Sequence, residues 1–390
     1  MIGGVSPLAE KNNEYMIDVA KDSTYLNQSD EYRKLYADWR ADSDNLYGYQ
    51  FVHDMREHTY IDGKGYVPHL AEVAESISLV KCCGIMGVAL LIMFLIDLTW
   101  YLVCLGAYPE MSNYVYSSQI GNIENADFSF IMLSGLVGVA RYVVPLLIFF
   151  KVTKLPKKVA FPMSTRRFDL LANSIVIMLL IMVIGRIINM FLPHIFSIFK
   201  VDTLYSVLWF SKEPRSVIAA FIFNCIAIPI VQELLFRGVF LQIFRQFGDL
   251  FAVLSTSFLC ALCFYDITYY TQVTICFIVL GVITVRTGSI FTPIIMSVIS
   301  HTVNFILSYT VLAGLPQAEL IEIVVIVIIM GISIVAYNNL LNEKYKILTV
   351  SQARSGMRYM KKTQVMIAST SIALWISASL VMTFVIMRLL

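Results

Sequence analysis

Within one apolar run, Glu233 and Arg237 stand four residues apart. That spacing puts carboxylate and guanidinium on one helix face, in the favoured order with the acid N-terminal. Such a pair lets two charges sit in a low-dielectric interior where neither would sit alone, without necessarily adding stability. By itself it reads first as a structural clasp. His301 and Asn304 put an imidazole and an amide on one face of a later apolar run. The imidazole could ligate a metal or move a proton, and it could equally make an interhelical hydrogen bond. Cys260 and Cys263, at i and i+3, could supply two thiolates, although small cysteines in an apolar helix are ordinarily packing residues. The other His of the apolar body, His194, is expected in a loop, so three imidazoles cannot meet a metal within it. Asp97, Arg141 and Arg186 also fall in apolar runs. Charges there are functional suspects, with an interior ion pair or a snorkelling helix end as the simpler reading.

The elements that must position these residues follow from composition. The chain has 390 residues, 58% hydrophobic and 14% charged. Soluble domains average about 25% charged residues, so a soluble enzyme is excluded and a multi-span membrane protein is indicated. Nine apolar segments are expected to span, at about 82–107, 128–150, 169–192, 215–246, 250–268, 270–285, 290–313, 319–337 and 364–387. They are continuous rather than alternating, so an all-α polytopic helical bundle is expected and a β-barrel is not. The segment 215–246 is too long for one upright span; it must tilt, kink at Pro229 or run on along the interface.

Charge is unevenly distributed. Residues 1–80 carry 7 Lys/Arg and 14 Asp/Glu, a net of −7, against an overall +2. Four regions are expected: an acidic segment 1–80, N-terminal membrane helices 81–214, a membrane core 215–313 and C-terminal membrane helices 314–390. The acidic segment, Tyr-rich as in Tyr32-Arg33-Lys34-Leu35-Tyr36, is expected either to be solvated or to contact the basic loops 151–167 and 338–363. Those loops, with Lys151, Lys154, Lys157 and Lys158 and with Lys344, Lys346, Arg354 and Arg358, put the N-terminus in the cytoplasm and the C-terminus outside. The first strongly apolar stretch starts near Cys82, too late for a cleavable signal peptide. Cys82-Cys83 is expected at a membrane edge, either as two small apolar residues or as an S-acylation site. The bilayer is the expected partner, and nothing points to nucleic acid.

The stretch Val231-Gln232-Glu233-Leu234-Leu235-Phe236-Arg237-Gly238 resembles the first motif of the CPBP family of intramembrane metalloproteases, the CAAX-protease and bacteriocin-processing group. Arg286-Thr287-Gly288-Ser289-Ile290, followed by Pro293 and a His-bearing helix, is similar to a later part of the same family. The resemblance covers about 217–310. It implies a Glu-Glu-x-x-x-Arg motif whose first Glu, with a His from the next helix, activates water. A second His and an Asn lie on a later helix, both His and the Asn bind metal or stabilise the oxyanion, and the second Glu pairs with the Arg. The implied reaction is hydrolysis of a lipidated or hydrophobic peptide within the bilayer.

Carried over position by position, the second Glu and the Arg are Glu233 and Arg237. The first Glu is Gln232, whose amide cannot act as general base. The next helix's His falls on Phe264, and the later His on Ser297, one turn before His301. The supporting residues are kept and the chemical ones replaced. The favoured expectation is therefore a catalytically impaired relative that binds a hydrophobic or lipidated peptide or a membrane partner, as in bacteriocin immunity, and holds no zinc. A second expectation is an active metalloprotease with a zinc site displaced to His301, with Asn304, Glu233 or the two cysteines beside it. A transporter is the third, motivated by the intramembrane charges alone.

Overall fold

A computed structural model of the chain describes residues 28–49, 60–61, 65–66, 70–109, 127–163, 168–198, 213–264, 267–312, 316–342 and 370–389. The helices are α1 (Asp30–Ala41), α2 (Leu70–Ala107), α3 (Phe128–Thr153), α4 (Lys157–Ala160), α5 (Phe168–Ile198), α6 (Pro214–Phe247), α7 (Asp249–Leu262), α8 (Ile267–Thr287), α9 (Phe291–Leu312), α10 (Ala318–Asn342) and α11 (Ile372–Leu389). A two-residue antiparallel pair, Tyr60–Ile61 with Gly65–Tyr66, is the strand structure among the described residues. The expected polytopic helical bundle is observed. Seven helices, within α2, α3, α5, α6, α8, α9 and α10, are long and apolar enough to cross a bilayer, whereas the segments in α7 and α11 are shorter. Helices prevail because a backbone in hydrocarbon must satisfy its N–H and C=O groups internally. His194 lies in the last turn of α5 rather than in a loop.

α6 is the spine. At 34 residues it is about 51 Å long, against about 30 Å of hydrocarbon. It is helical without a break from Pro214 through Pro229 to Phe247. Two π-helical stretches, Ile222–Ala227 and Leu234–Phe240, absorb the irregularity. The first ends just before Pro229, where the missing N–H would otherwise leave a gap in the ladder. Beyond it, Leu235, Phe236, Val239, Phe240, Leu241, Ile243, Phe244 and Phe247 are all buried in the main core. α3, α7 and α9 pack around this helix, while α8 lies against α5 and α7.

The turn into α7 uses Gly248 at φ 115°, a conformation that a side chain would strain. α7 and α8 then form a helical hairpin, and the turn from α8 to α9 is tied to the loop after α4 by Ile290 N–H donating to the Pro162 carbonyl, 2.8 Å. α11 lies along α2 so closely that a Cβ on Gly87 would come within 2.5 Å of the Ala373 carbonyl carbon.

The acidic N-terminal segment contributes α1. Ser29 caps it by accepting from Tyr32 N–H at 3.2 Å, with Asp30 and Glu31 in the first turn and Arg40 in the last. Its buried stripe is Tyr32, Tyr36 and Trp39, at i, i+4 and i+7, and this stripe faces the end of α6 and α3. Cys82 and Cys83 are 0% and 2% exposed. Cys82 lies against Tyr47 and Gln246, so these thiols are core residues and not an exposed edge.

Candidate functional site

α6 presents Gln232, Glu233 and Arg237 inward, none more than 1% exposed. Glu233 Oε2 lies 3.5 Å from Arg237 Nε. The i, i+4 ion pair is therefore formed as the spacing predicts. It is long, and the guanidinium is mostly committed elsewhere. Arg237 Nη2 donates to the Phe277 carbonyl at 2.7 Å, and the guanidinium carbon sits 4.8 Å from the centre of the Phe277 ring. Both Glu233 oxygens, with Arg237 Nε and Nη1, have no hydrogen-bond partner among the described residues. Buried polar atoms in that state carry a desolvation cost.

Gln232 Nε2 donates to Cys260 Sγ at 3.3 Å, so this amide is engaged with a thiol of α7. Phe264 packs on Phe277, ring centroids 5.8 Å apart. Arg237 and Phe264 therefore meet at the Phe277 ring, with Glu233 beside Arg237 and Gln232 turned to Cys260. Ser297 is buried on α9, which packs against the Glu233 stretch of α6, and its carbonyl accepts from Ser300 Oγ at 2.9 Å. His301 is half-buried on the same helix, and its carbonyl accepts from Cys225 Sγ at 3.7 Å.

Asn304 belongs to a different group. Its Oδ1 accepts from Arg186 Nη1 at 2.7 Å, while Arg186 also bonds Glu322 at 2.5 Å and Ser308 at 3.3 Å. Arg186 is thus an interior ion pair joining α5, α9 and α10. Asp97 and Arg141 form the second, 3.0 Å apart, with Arg141 also donating to the Cys263 carbonyl. The simpler reading of these intramembrane charges is the observed one.

Among the described residues, the donor set at these positions does not fit a zinc ion. Among the described residues no three His, Cys, Asp or Glu side chains gather closely enough to hold a metal. Gln232 spends its amide on Cys260, Phe264 offers a ring, and the Asn304 oxygen is turned to a guanidinium. A zinc site needs three protein ligands and an open position.

Residues 214–303 match the family described as type II CAAX prenyl endopeptidase Rce1-like. The match starts at the first residue of α6 and ends within α9, so it takes in Gln232, Glu233, Arg237, Phe264, Ser297 and His301, while Asn304 lies one residue beyond it. The CPBP-type likeness expected from the motifs is shown over this stretch, the chain's multiple apolar helices make it a multi-pass membrane protein, and the core is CAAX-protease-like. No curated protein and no solved structure matches the chain.

A second polar group, beyond the reach of the motif reading, closes the end of α6. Gln242, Arg245, Gln246 and Asp249 are 1%, 1%, 2% and 7% exposed. Tyr32 Oη donates to Gln242 Oε1 at 2.6 Å, Tyr36 Oη to the Gln242 carbonyl at 2.8 Å, and Trp39 Nε1 to the Thr153 carbonyl at 2.9 Å. Tyr49 N–H donates to Gln246 Oε1 at 2.8 Å, and Gln246 Nε2 returns a bond to the Tyr47 carbonyl, also 2.8 Å. Arg245 pairs with Asp249 at 2.8 Å. Burial pushes the Tyr32 phenol up to about 12, against the opposing pull of the Arg245 charge. The signal in the sequence was the Tyr32, Tyr36, Trp39 helical stripe, which matches the polar tips clustered at the end of α6.

Proposed function

We propose that this chain is a CAAX-protease-like membrane protein that binds a hydrophobic or lipidated peptide, or a membrane partner, without cutting it. The observation that carries the reading is the Gln232–Cys260 hydrogen bond. The position that would need a carboxylate to take a proton from water holds an amide instead, and that amide is already donating. Phe264 and Ser297 extend the same substitution to the neighbouring positions. What remains is the framework: an ion-paired Glu233–Arg237 on a buried helix, with aromatic surroundings suited to apolar cargo. Immunity to, or sequestration of, hydrophobic peptides is the role that fits a binder of this kind.

The protein sits in a cell membrane with its N-terminus in the cytoplasm and its C-terminus outside. Supporting this orientation, Lys151, Lys154, Lys157 and Lys158 are exposed at the end of α3 and on α4, and Lys158 meets Glu31 of α1 at 2.5 Å. The test is a paired assay on the purified full chain in detergent. Fluorescent peptides with and without a C-terminal prenyl group are offered, and binding and cleavage are read together. Saturable binding of an apolar peptide with no new cleavage product is the expected result. Cleavage that a His301→Ala change abolishes would replace the reading with that of an active protease whose site is displaced to His301.

A further inference from the structure

The buried end of α6 and the Glu233–Arg237 pair are joined by a short line of hydrogen bonds. Tyr32 Oη donates to Gln242 Oε1 at 2.6 Å, and the same amide donates through Nε2 to the Arg237 carbonyl at 3.2 Å. Arg245 Nη1 also reaches Gln242 Oε1 at 3.4 Å. The Gln242 side chain is therefore held at both ends, by α1 on one side and by the backbone of Arg237 on the other. That backbone lies within the π-helical stretch Leu234–Phe240. A π-helical turn spreads its hydrogen bonds to i+5 and leaves carbonyls that a side chain can claim. The carbonyl claimed here belongs to the residue whose guanidinium grips Phe277 and pairs with Glu233.

We infer that Gln242 is a positioning residue of the site, and that α1 is an interaction module that sets the Arg237 turn through it. The docked helix orients the amide by its Oε1. The amide then fixes the π register at Arg237, and that register sets where the guanidinium sits between Glu233 and Phe277. Undocking α1 frees the amide to rotate, and the turn relaxes toward the ordinary α ladder. The site's geometry thereby depends on a segment that lies outside residues 214–303. This holds whether the core binds or cuts, so it goes beyond the proposed function and fails separately from it.

The cysteines already present supply the reporters. Cys260 is held by Gln232 beside the pair, Cys82 lies under Tyr47 and Gln246 at the docked segment, and Cys104 is buried in a separate cluster with Phe130 and Cys225. The full chain in detergent is treated with N-ethylmaleimide, and alkylation of each cysteine is followed by peptide mass spectrometry. Tyr32→Phe and Gln242→Met cut the line. Trp39→Phe removes a bond of similar kind, to the Thr153 carbonyl, without touching Gln242. The inference predicts that Tyr32→Phe and Gln242→Met each speed alkylation of Cys260 about fivefold, the factor one lost hydrogen bond confers on an opening equilibrium. Trp39→Phe is expected to speed Cys82, with a smaller rise at Cys260 than either line variant gives, and Cys104 to stay unchanged throughout. Unchanged Cys260 in both line variants overturns the inference. So does an equal rise at Cys260 in Trp39→Phe, which would make α1 a plain clamp, and so does a parallel rise at Cys104, which would make the effect general loosening.

Discussion

Two polar groups lie on the same helix, one to three turns apart, and they are built in opposite ways. At the end of α6, Gln242 and Gln246 use their amides fully, against the Tyr32 hydroxyl and the Tyr47 and Tyr49 backbone of the N-terminal segment and the Arg237 carbonyl of α6 itself. In the middle, Glu233 and Arg237 share one 3.5 Å contact, and both Glu233 oxygens lack a hydrogen bond. A satisfied buried network rigidifies and specifies, whereas an under-satisfied one is held by its surroundings. The comparison teaches that the family-like pair is kept in place by its neighbours, and that the closing group at the helix end is one of the things keeping it. Breaking the first should therefore hurt most by exposing an unpaired charge, and breaking the second should cost about what hydrogen bonds cost.

The largest effect is expected at the pair. Arg237→Met leaves the Glu233 carboxylate buried and unpaired, and should destabilise the protein by about 3–5 kcal/mol. Glu233→Gln with Arg237→Met together should recover most of that loss, because no charge is left uncompensated. Thermal unfolding in detergent distinguishes the two. A single variant as stable as the wild type would mean that Glu233 is already neutral or otherwise compensated.

Next comes the helix end. Gln242→Leu removes the acceptor of the buried Tyr32 hydroxyl and a donor to the Arg237 carbonyl, and should cost roughly 1–3 kcal/mol. Tyr32→Phe removes one bond and should cost about 1 kcal/mol. Equal costs for the two would show that Gln242 has no role beyond its contact with Tyr32.

The pH response separates the groups again. The Tyr32 phenol is raised by burial to about 12 from an ordinary 10. The folded state thus prefers the protonated phenol, so its stabilising share is complete below pH 10 and is lost as pH climbs from 10 toward 12. Limited proteolysis within residues 28–49 should accelerate over that window in the wild type. The Tyr32→Phe chain should lack that inflection, and an identical inflection there would assign the titration to another group.

The smallest effect is expected at the rim. Glu31 and Lys158 meet at 2.5 Å but are more than half exposed. Such a pair contributes about 0–1 kcal/mol, so Glu31→Ala should leave the melting temperature nearly unchanged. A loss comparable to that of Tyr32→Phe would make the docking of α1 electrostatic rather than built on its aromatic stripe.

The sequence was most legible where lipid chemistry dictates the answer. Apolar runs of about 20 residues fix helices and their approximate ends, and the i, i+4 spacing of Glu233 and Arg237 fixes a shared face. The long segment 215–246 was legible as too long, but not the cause of its extra length. Its last turns carry Gln242, Arg245 and Gln246, which read as an interfacial end until Tyr32, Tyr36 and Trp39 are seen to cover them. That pairing joins residues some 200 apart in the chain, and no local pattern encodes a contact of that range. The π-helical turns at Ile222–Ala227 and Leu234–Phe240 were equally silent in the sequence. For the site, motif spacing placed Gln232, Glu233, Arg237 and Phe264 near one another. It also paired Asn304 with His301 on one helix face, yet it could not show that Arg186 claims the Asn304 amide.

The central claim is that the core keeps a protease-like framework without hydrolytic machinery. Zinc content of the detergent-purified full chain, measured for the wild type beside His301→Ala, tests it most directly. No retained zinc above background is expected in either protein. Near-stoichiometric zinc in the wild type that is lost in His301→Ala would contradict it and establish a metal site on α9.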